Sequence, residues 1–102
     1  MTTVVCDYLG KPDDCFELET LRSFRDTWLR NQEGGMEQIA EYYNTAPLLV
    51  SLLEKSEHFG EYCETMWSKY ITNCLQLIKQ KKYEECRKLY EEMFIYLKNN
   101  LC

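Results

Sequence analysis

A chain of 102 residues is one domain's worth, able to bury roughly 60 to 70 % of the surface its unfolded form exposes. At 45 % hydrophobic and 14 % aromatic it is too apolar for a disordered segment, and 28 % charged is ordinary for a soluble domain. The formal net charge of −5 speaks against a nucleic-acid reader or a protein held to anionic lipid, both of which lean on Lys and Arg, and favours solubility or a basic partner.

The opening residues, MTTVVCDYLG, show neither a positively charged stretch nor a long apolar one, so no secretory signal is expected. No apolar run approaches the ~20 residues of a membrane helix. A single soluble domain over residues 1–102, located in the cytoplasm, is therefore expected. The piece TTVVCDYL before Gly10 and Pro12 is short and irregular or β-leaning.

PDDCFELETLRSFRDTWLRN predicts the first long helix, with Asp13 or Asp14 as its cap and Glu17 placed for a capping box. Leu18, Leu21, Phe24 and Trp28 share one face, and NQEGG is the stop, Gly34 and Gly35 being suited to a left-handed turn. MEQIAEYYN predicts a second, shorter helix with Met36, Ile39, Ala40 and Tyr43 as its stripe. Pro47 forbids simple continuation, and with Thr45 as cap it opens a new helix, APLLVSLLEKS. Leu48, Leu49, Val50, Leu52 and Leu53 make that helix apolar most of the way round, which predicts a central, buried element.

From Glu61 to Lys79 the residues Cys63, Met66, Trp67, Tyr70, Cys74, Leu77 and Ile78 keep a helical period, and KQKK places cations at the carbonyl-rich end. The last helix, YEECRKLYEEMFIYLKNN, turns Cys86, Leu89, Tyr90, Met93 and Leu97 inward and Glu84, Glu85, Glu91 and Glu92 outward. The short connection makes these two an antiparallel hairpin. The predicted fold is all-α, a compact bundle of about five helices. The hairpin also looks like half of a tetratricopeptide unit, but only one copy is visible and such repeats need neighbours.

TTVVCDYLGKPDDCFELETLRSFRDTWL, followed by EYYNTAP, MWSKYITNCLQLI and ECRKLYEEM, resembles the CFI-box-associated family of small bacterial proteins and C-terminal domains. That family's pattern opens with a Cys-aromatic-aliphatic triplet before a Thr-Thr or Ala-Thr pair, then gives Leu-Arg-x-Phe-Arg-Asp and a Tyr-Tyr segment running to a proline. Here Met1 stands directly before Thr2 and Thr3, so the Cys that names the box is missing from this chain. The resemblance implies a fold and a bacterial origin, and no reaction.

Arg22, Asp26 and Arg30 are spaced i, i+4, i+8, so the aspartate is expected to bridge the two guanidinium groups along one helix face. Arg25 lies beside the apolar stripe, between Phe24 and Trp28 in helical angle, where a charge needs a carboxylate, a carbonyl or an aromatic face. Arg25 and Asp26 are expected to tie the first helix to other elements, with binding as their second role. Tyr42, Tyr43, Tyr62, Tyr83, Tyr90 and Tyr96 exceed what a small core needs, and Tyr and Trp dominate interface hot spots. The candidate binding residues are Arg22, Arg25, Asp26, Trp28, Tyr42 and Tyr43.

Catalysis has little support. His58 is the only histidine, its neighbours Glu57, Glu61 and Glu64 make an unspecific HxxE pattern, and no Gly-rich phosphate loop, GxSxG or HExxH appears. The cysteines offer the alternative: if the N-terminal segment packs on the hairpin, Cys6, Cys15, Cys74 and Cys86 converge on a zinc ion or a regulatory disulfide. Against this, buried cysteine is an ordinary small hydrophobe and no tight CxxC spacing is present.

Two function classes follow. The first is a non-enzymatic, acidic helical protein without cofactor that acts by protein–protein interaction, with no direct nucleic-acid or membrane binding; a special case is an inhibitor of a basic nucleic-acid enzyme. The second is a thiol-dependent protein carrying structural zinc or a redox-sensing site.

Overall fold

The computed structural model describes residues 2–12 and 15–101, and among them every regular element is helical. In chain order these are α1 (Thr2–Tyr8), α2 (Phe16–Thr27), a 3-10 turn (Leu29–Asn31), α3 (Gly35–Lys55), α4 (Phe59–Thr65), a π-helical turn (Met66–Ile71), α5 (Thr72–Lys79) and α6 (Tyr83–Leu101). Thr65, Met66, Ile71 and Thr72 all keep right-handed helical backbone, so α4, the π turn and α5 form one unbroken rod. The molecule is thus five rods, all-α as the sequence predicts, and α5 packs against α6 as the C-terminal hairpin.

The N-terminal piece is a helix rather than a β-leaning segment. Val5 and Cys6 are buried, Tyr8 meets Phe59 edge-on at 5.6 Å, and these contacts outweigh the weak strand preference of two adjacent valines. Gly10 ends the helix at φ 76°, where Lys11 N–H donates to the Cys6 carbonyl at 2.8 Å and Gly10 N–H to Asp7 at 3.0 Å. The loop is then anchored: Lys11 pairs with Glu17 at 2.9 Å and lies 5.0 Å over the Trp67 ring. Glu17 therefore faces Lys11, and the proposed caps Asp13 and Asp14 lie outside the described residues. Cys15, with extended backbone, precedes α2.

The first long helix, α2, ends at Thr27, earlier than expected, and the 3-10 turn over Leu29–Asn31 leads into NQEGG, whose glycines differ in role. Gly34 takes the left-handed turn at φ 71°, whereas a Cβ on Gly35 would stand 1.9 Å from the Leu29 carbonyl oxygen. That contact closes the 3-10 turn onto α3.

Pro47 does not break the chain: α3 runs through it as one helix of 21 residues. A helix-interior proline removes one backbone hydrogen bond and costs ~3 kcal/mol. Burying Leu49 and Leu53, each contributing about 1.5–3 kcal/mol, offsets that cost, with Ile39 and Tyr42 packing on the same core one side earlier. Nor is this helix apolar all round: Val50 and Leu52 are half-buried and Leu48 is exposed.

The π turn carries about one residue more per turn than an α-helix, and Met66, Tyr70 and Ile71 within it are buried. At the hairpin, Lys81 adopts φ 61°, and Lys82 N–H donates to Leu77 at 2.8 Å while Lys81 N–H donates to Ile78 at 3.0 Å. The lysine run thus closes the carbonyl end of α5 as expected. The core joins Val5, Leu21, Phe24, Leu53, Met66 and Met93, and no buried polar side chain among the described residues lacks a partner. The radius of gyration, 13.0 Å, matches the ~13 Å of a globule of this length.

Candidate functional site

The Leu29–Asn31 turn packs on both α2 and α3, and between those helices lies a cleft of about 380 Å³. α2 supplies Leu21, Arg22, Phe24 and Arg25; α3 supplies Ile39, Tyr42, Tyr43 and Ala46. Tyr90 of α6 and the start of α1, Thr2 and Thr3, complete it. Of the residues singled out in the sequence, Arg22, Arg25, Tyr42 and Tyr43 therefore meet in one place, while Asp26 and Trp28 are not part of its lining.

Arg25 is fixed by its neighbour. Its Nε donates to Asp26 Oδ1 at 2.8 Å and its Nη2 to Oδ2 at 3.2 Å, and the guanidinium lies 5.6 Å over the Tyr43 ring. The hydrogen bonds to Asp26 raise the Arg25 pKa, and in return they hold the Asp26 carboxyl below its usual value, with Arg30 adding a smaller charge effect. Asp26 thus grips Arg25 rather than bridging Arg22 and Arg30 as the spacing suggested. Arg22 donates from Nη1 to Glu19 Oε1 at 2.8 Å. Arg25 and Asp26 sit side by side on α2, so their ion pair ties no two elements together; the cation–π contact with Tyr43 on α3 does.

Tyr42 is packed against Tyr90 and Phe94, with ring centroids at 5.4 and 4.6 Å, and burial pushes its hydroxyl up to about 12. Burial likewise raises the Tyr90 hydroxyl. Both phenols are therefore neutral at physiological pH, and the Tyr42 hydroxyl accepts from Gln38 Nε2. Tyr43 is 60 % exposed and forms the open lip. Trp28 stacks on Phe24 at 5.5 Å and meets Tyr83 at the same distance, a packing ladder from α2 to α6. It edges a separate shallow groove with Phe16, Thr20, Ile78 and Tyr83.

The cysteines form two pairs. Cys6 and Cys15 are close enough to influence each other near Lys11, and burial, with the Cys15 thiol adding, lifts Cys6 to about 11. Cys74 Sγ lies 4.0 Å from the Cys86 carbonyl oxygen across the α5–α6 hairpin, and the contact with Cys86 together with burial raises the Cys74 thiol strongly. The hairpin thus brings Cys74 and Cys86 face to face as predicted. The four thiols do not gather: no group of three or more His, Cys, Asp or Glu among the described residues is placed to hold a metal ion. All five described cysteines are free thiols. His58 Nδ1 pairs with Glu61 Oε2 at 2.8 Å on the exposed surface.

Sequence periodicity did not find Thr2, Thr3, Ile39, Ala46 or Tyr90 as cleft residues, because they come from three helices remote in sequence. Reading α3 as one helix also exposes a second feature: Met36, Ala40, Tyr43 and Pro47, at i, i+4, i+7 and i+11, form an apolar stripe on its outer side, with Met36 59 % exposed. The sequence spacing groups Met36, Ala40 and Tyr43 with Ile39 as one stripe, but only Ile39 packs on the core and the other three face outward, where Pro47 extends them. No helix among the described residues is long and apolar enough to cross a membrane. No protein-family model, curated protein or solved structure matches the chain.

Proposed function

We propose that this protein is a non-enzymatic binding module, working without a cofactor in the cytoplasm, that docks a segment of another protein along the outer side of α3 and into the α2–α3 cleft. One observation carries this: the apolar stripe Met36, Ala40, Tyr43 and Pro47 points to solvent and runs into the cleft at Tyr43. A surface helix ordinarily turns its apolar residues inward, and a contiguous exposed patch marks an interaction surface. Tyr43 and Tyr42 add the stiff amphipathic area that interface hot spots favour. An inhibitor of a basic nucleic-acid enzyme would instead use the exposed Glu84, Glu85, Glu91 and Glu92 on α6, where the adjoining shallow groove is also lined by Lys81 and Lys82, cations that would repel a basic partner.

The test is site-specific photo-cross-linking in an extract of the native host, with a benzophenone amino acid replacing Tyr43 or, as control, Glu91. Docking on α3 predicts a discrete polypeptide adduct from the Tyr43 position alone. Equal adducts from both positions, or none from Tyr43, would refute it.

A thiol-dependent role is the alternative, and the contact between buried Cys6 and half-exposed Cys15 favours a redox pair over a zinc site. A disulfide there after mild hydroperoxide treatment, mapped by mass spectrometry, would support it.

A further inference from the structure

Resting on the docking proposal, we infer that the segment received by the cleft is acidic, presenting a carboxylate side chain next to a large apolar one. Among the described residues, the polar side chains that line the cleft are Arg22, Arg25, Tyr42, Tyr43, Tyr90, Thr2 and Thr3, and no Asp, Glu, Asn or Gln is among these. Guanidinium groups only donate, while the hydroxyls both donate and accept, as Tyr42 does from Gln38 Nε2, so the selective element is the arginine pair, which favours a ligand carrying acceptors. On a chain of net charge −5, a lining whose charged described residues are both arginines is the reverse of the molecular average.

Asp26, which pairs with Arg25, and Glu19, which pairs with Arg22, are not among the lining residues. Asp26 engages Nε and Nη2 of Arg25, and a guanidinium carries five N–H donors, so a further carboxylate can be received on another edge of Arg25. Next to it, Leu21, Phe24, Leu29 and Ile39 form an apolar wall. At about 380 Å³ the space is at the small end of the ~300–1,000 Å³ range of ligand pockets, which suits a side chain or two of a larger partner. A free small anion would leave the stripe from Met36 to Pro47 uncovered, whereas an acidic peptide segment covers both.

The test titrates the ¹⁵N-labelled full chain, at low salt, with an end-blocked Glu-Phe-Glu tripeptide and with its neutral isostere Gln-Phe-Gln. The expected result is amide shifts at Arg25, Tyr43 and Ala46, with the neutral peptide binding about tenfold more weakly. Arg25→Ala should erase that preference, while Tyr43→Ala should weaken both peptides alike. Equal binding of the two peptides, or shifts confined to the Trp28–Tyr83 groove, would overturn the inference. So would sedimentation showing that a second copy of this chain occupies the cleft. If the acidic peptide is preferred but Tyr43 cross-links to no polypeptide, partner docking is refuted and the anion chemistry stands; a Tyr43 adduct with no charge preference refutes only the chemistry.

Discussion

Arg25 is held by Asp26 on one side and lies over Tyr43 on the other, and both members of the ion pair reach solvent: their side chains are 33 % and 56 % exposed. Exposed pairs contribute about 0–1 kcal/mol, so Arg25→Ala should change the urea midpoint only slightly while abolishing selection for an acidic peptide. A large loss of stability would show the pair to be structural instead. The thiols behave oppositely, because burial disfavours their charged form. Cys6 and Cys63 rise from 9.0 to about 11, and Cys74 rises further. A group whose folded value is raised contributes fully below its unfolded value and loses that contribution as pH climbs toward the folded one. Reduced protein should therefore hold its melting temperature near neutrality and lose it progressively above about pH 9. Constant stability through about pH 10 would contradict the burial of these sulfurs.

At the scale of elements, α3 and the α4–α5 rod carry the decisive features. Leu53 is fully buried and Leu48 is 56 % exposed on the same helix. Leu53→Ala should cost about 2–5 kcal/mol and Leu48→Ala far less, a contrast that denaturant unfolding measures directly. The π turn makes another expectation. Deleting exposed Ser68 inside it should leave Cys63 and Met66 before it, and Cys74 after it, on the core face, by converting the turn to ordinary α-helix. Deleting Asn73 beyond the turn rotates Cys74 off that face. The Ser68 deletion should thus keep native helical circular dichroism and cooperative melting where the Asn73 deletion does not; equal damage would mean the extra residue is not the cause of the turn.

These two elements also mark how far sequence reasoning reaches. The period-3.6 spacing of Leu18, Leu21 and Phe24, and of Cys86, Met93 and Leu97, identified residues that are indeed buried, because amphipathic helices bury what their period gathers. The left-handed turn at Gly34 and the lysine-rich close of α5 were equally legible, since both depend on backbone chemistry within a few residues, whereas the end of α2 at Thr27 came earlier than the glycines suggested. Pro47 misled, because its local cost is offset by leucines whose burial depends on the rest of the fold. The π turn has no local signal at all.

At the scale of the whole molecule, the cleft is a product of assembly. Its arginines come from α2, its aromatic lip and apolar stripe from α3, its far wall from α6 and its end from α1, so spacing within any one helix could name Arg22, Arg25, Tyr42 and Tyr43 without showing that they converge. The helix that was least expected, α1, supplies two of the lining's hydroxyls, Thr2 and Thr3. The same assembly keeps the two cysteine pairs apart and so leaves the thiols as packing groups and, at Cys6 and Cys15, one accessible contact. What unites the architecture is the use of α3: its inner side fills the core with Leu49 and Leu53, and its outer side carries the stripe Met36, Ala40, Tyr43 and Pro47 between exposed polar residues such as Glu37, Glu41 and Asn44.

The most direct test is amide hydrogen exchange of the protein bound to the polypeptide that Tyr43 captures, compared with the protein alone. Docking in the cleft predicts slowed exchange in residues 22–25 and 36–47, lost in the Arg25→Ala, Tyr43→Ala double variant. Protection confined to the Trp28–Tyr83 groove or to the outer face of α6, with 22–25 and 36–47 unchanged, would contradict it.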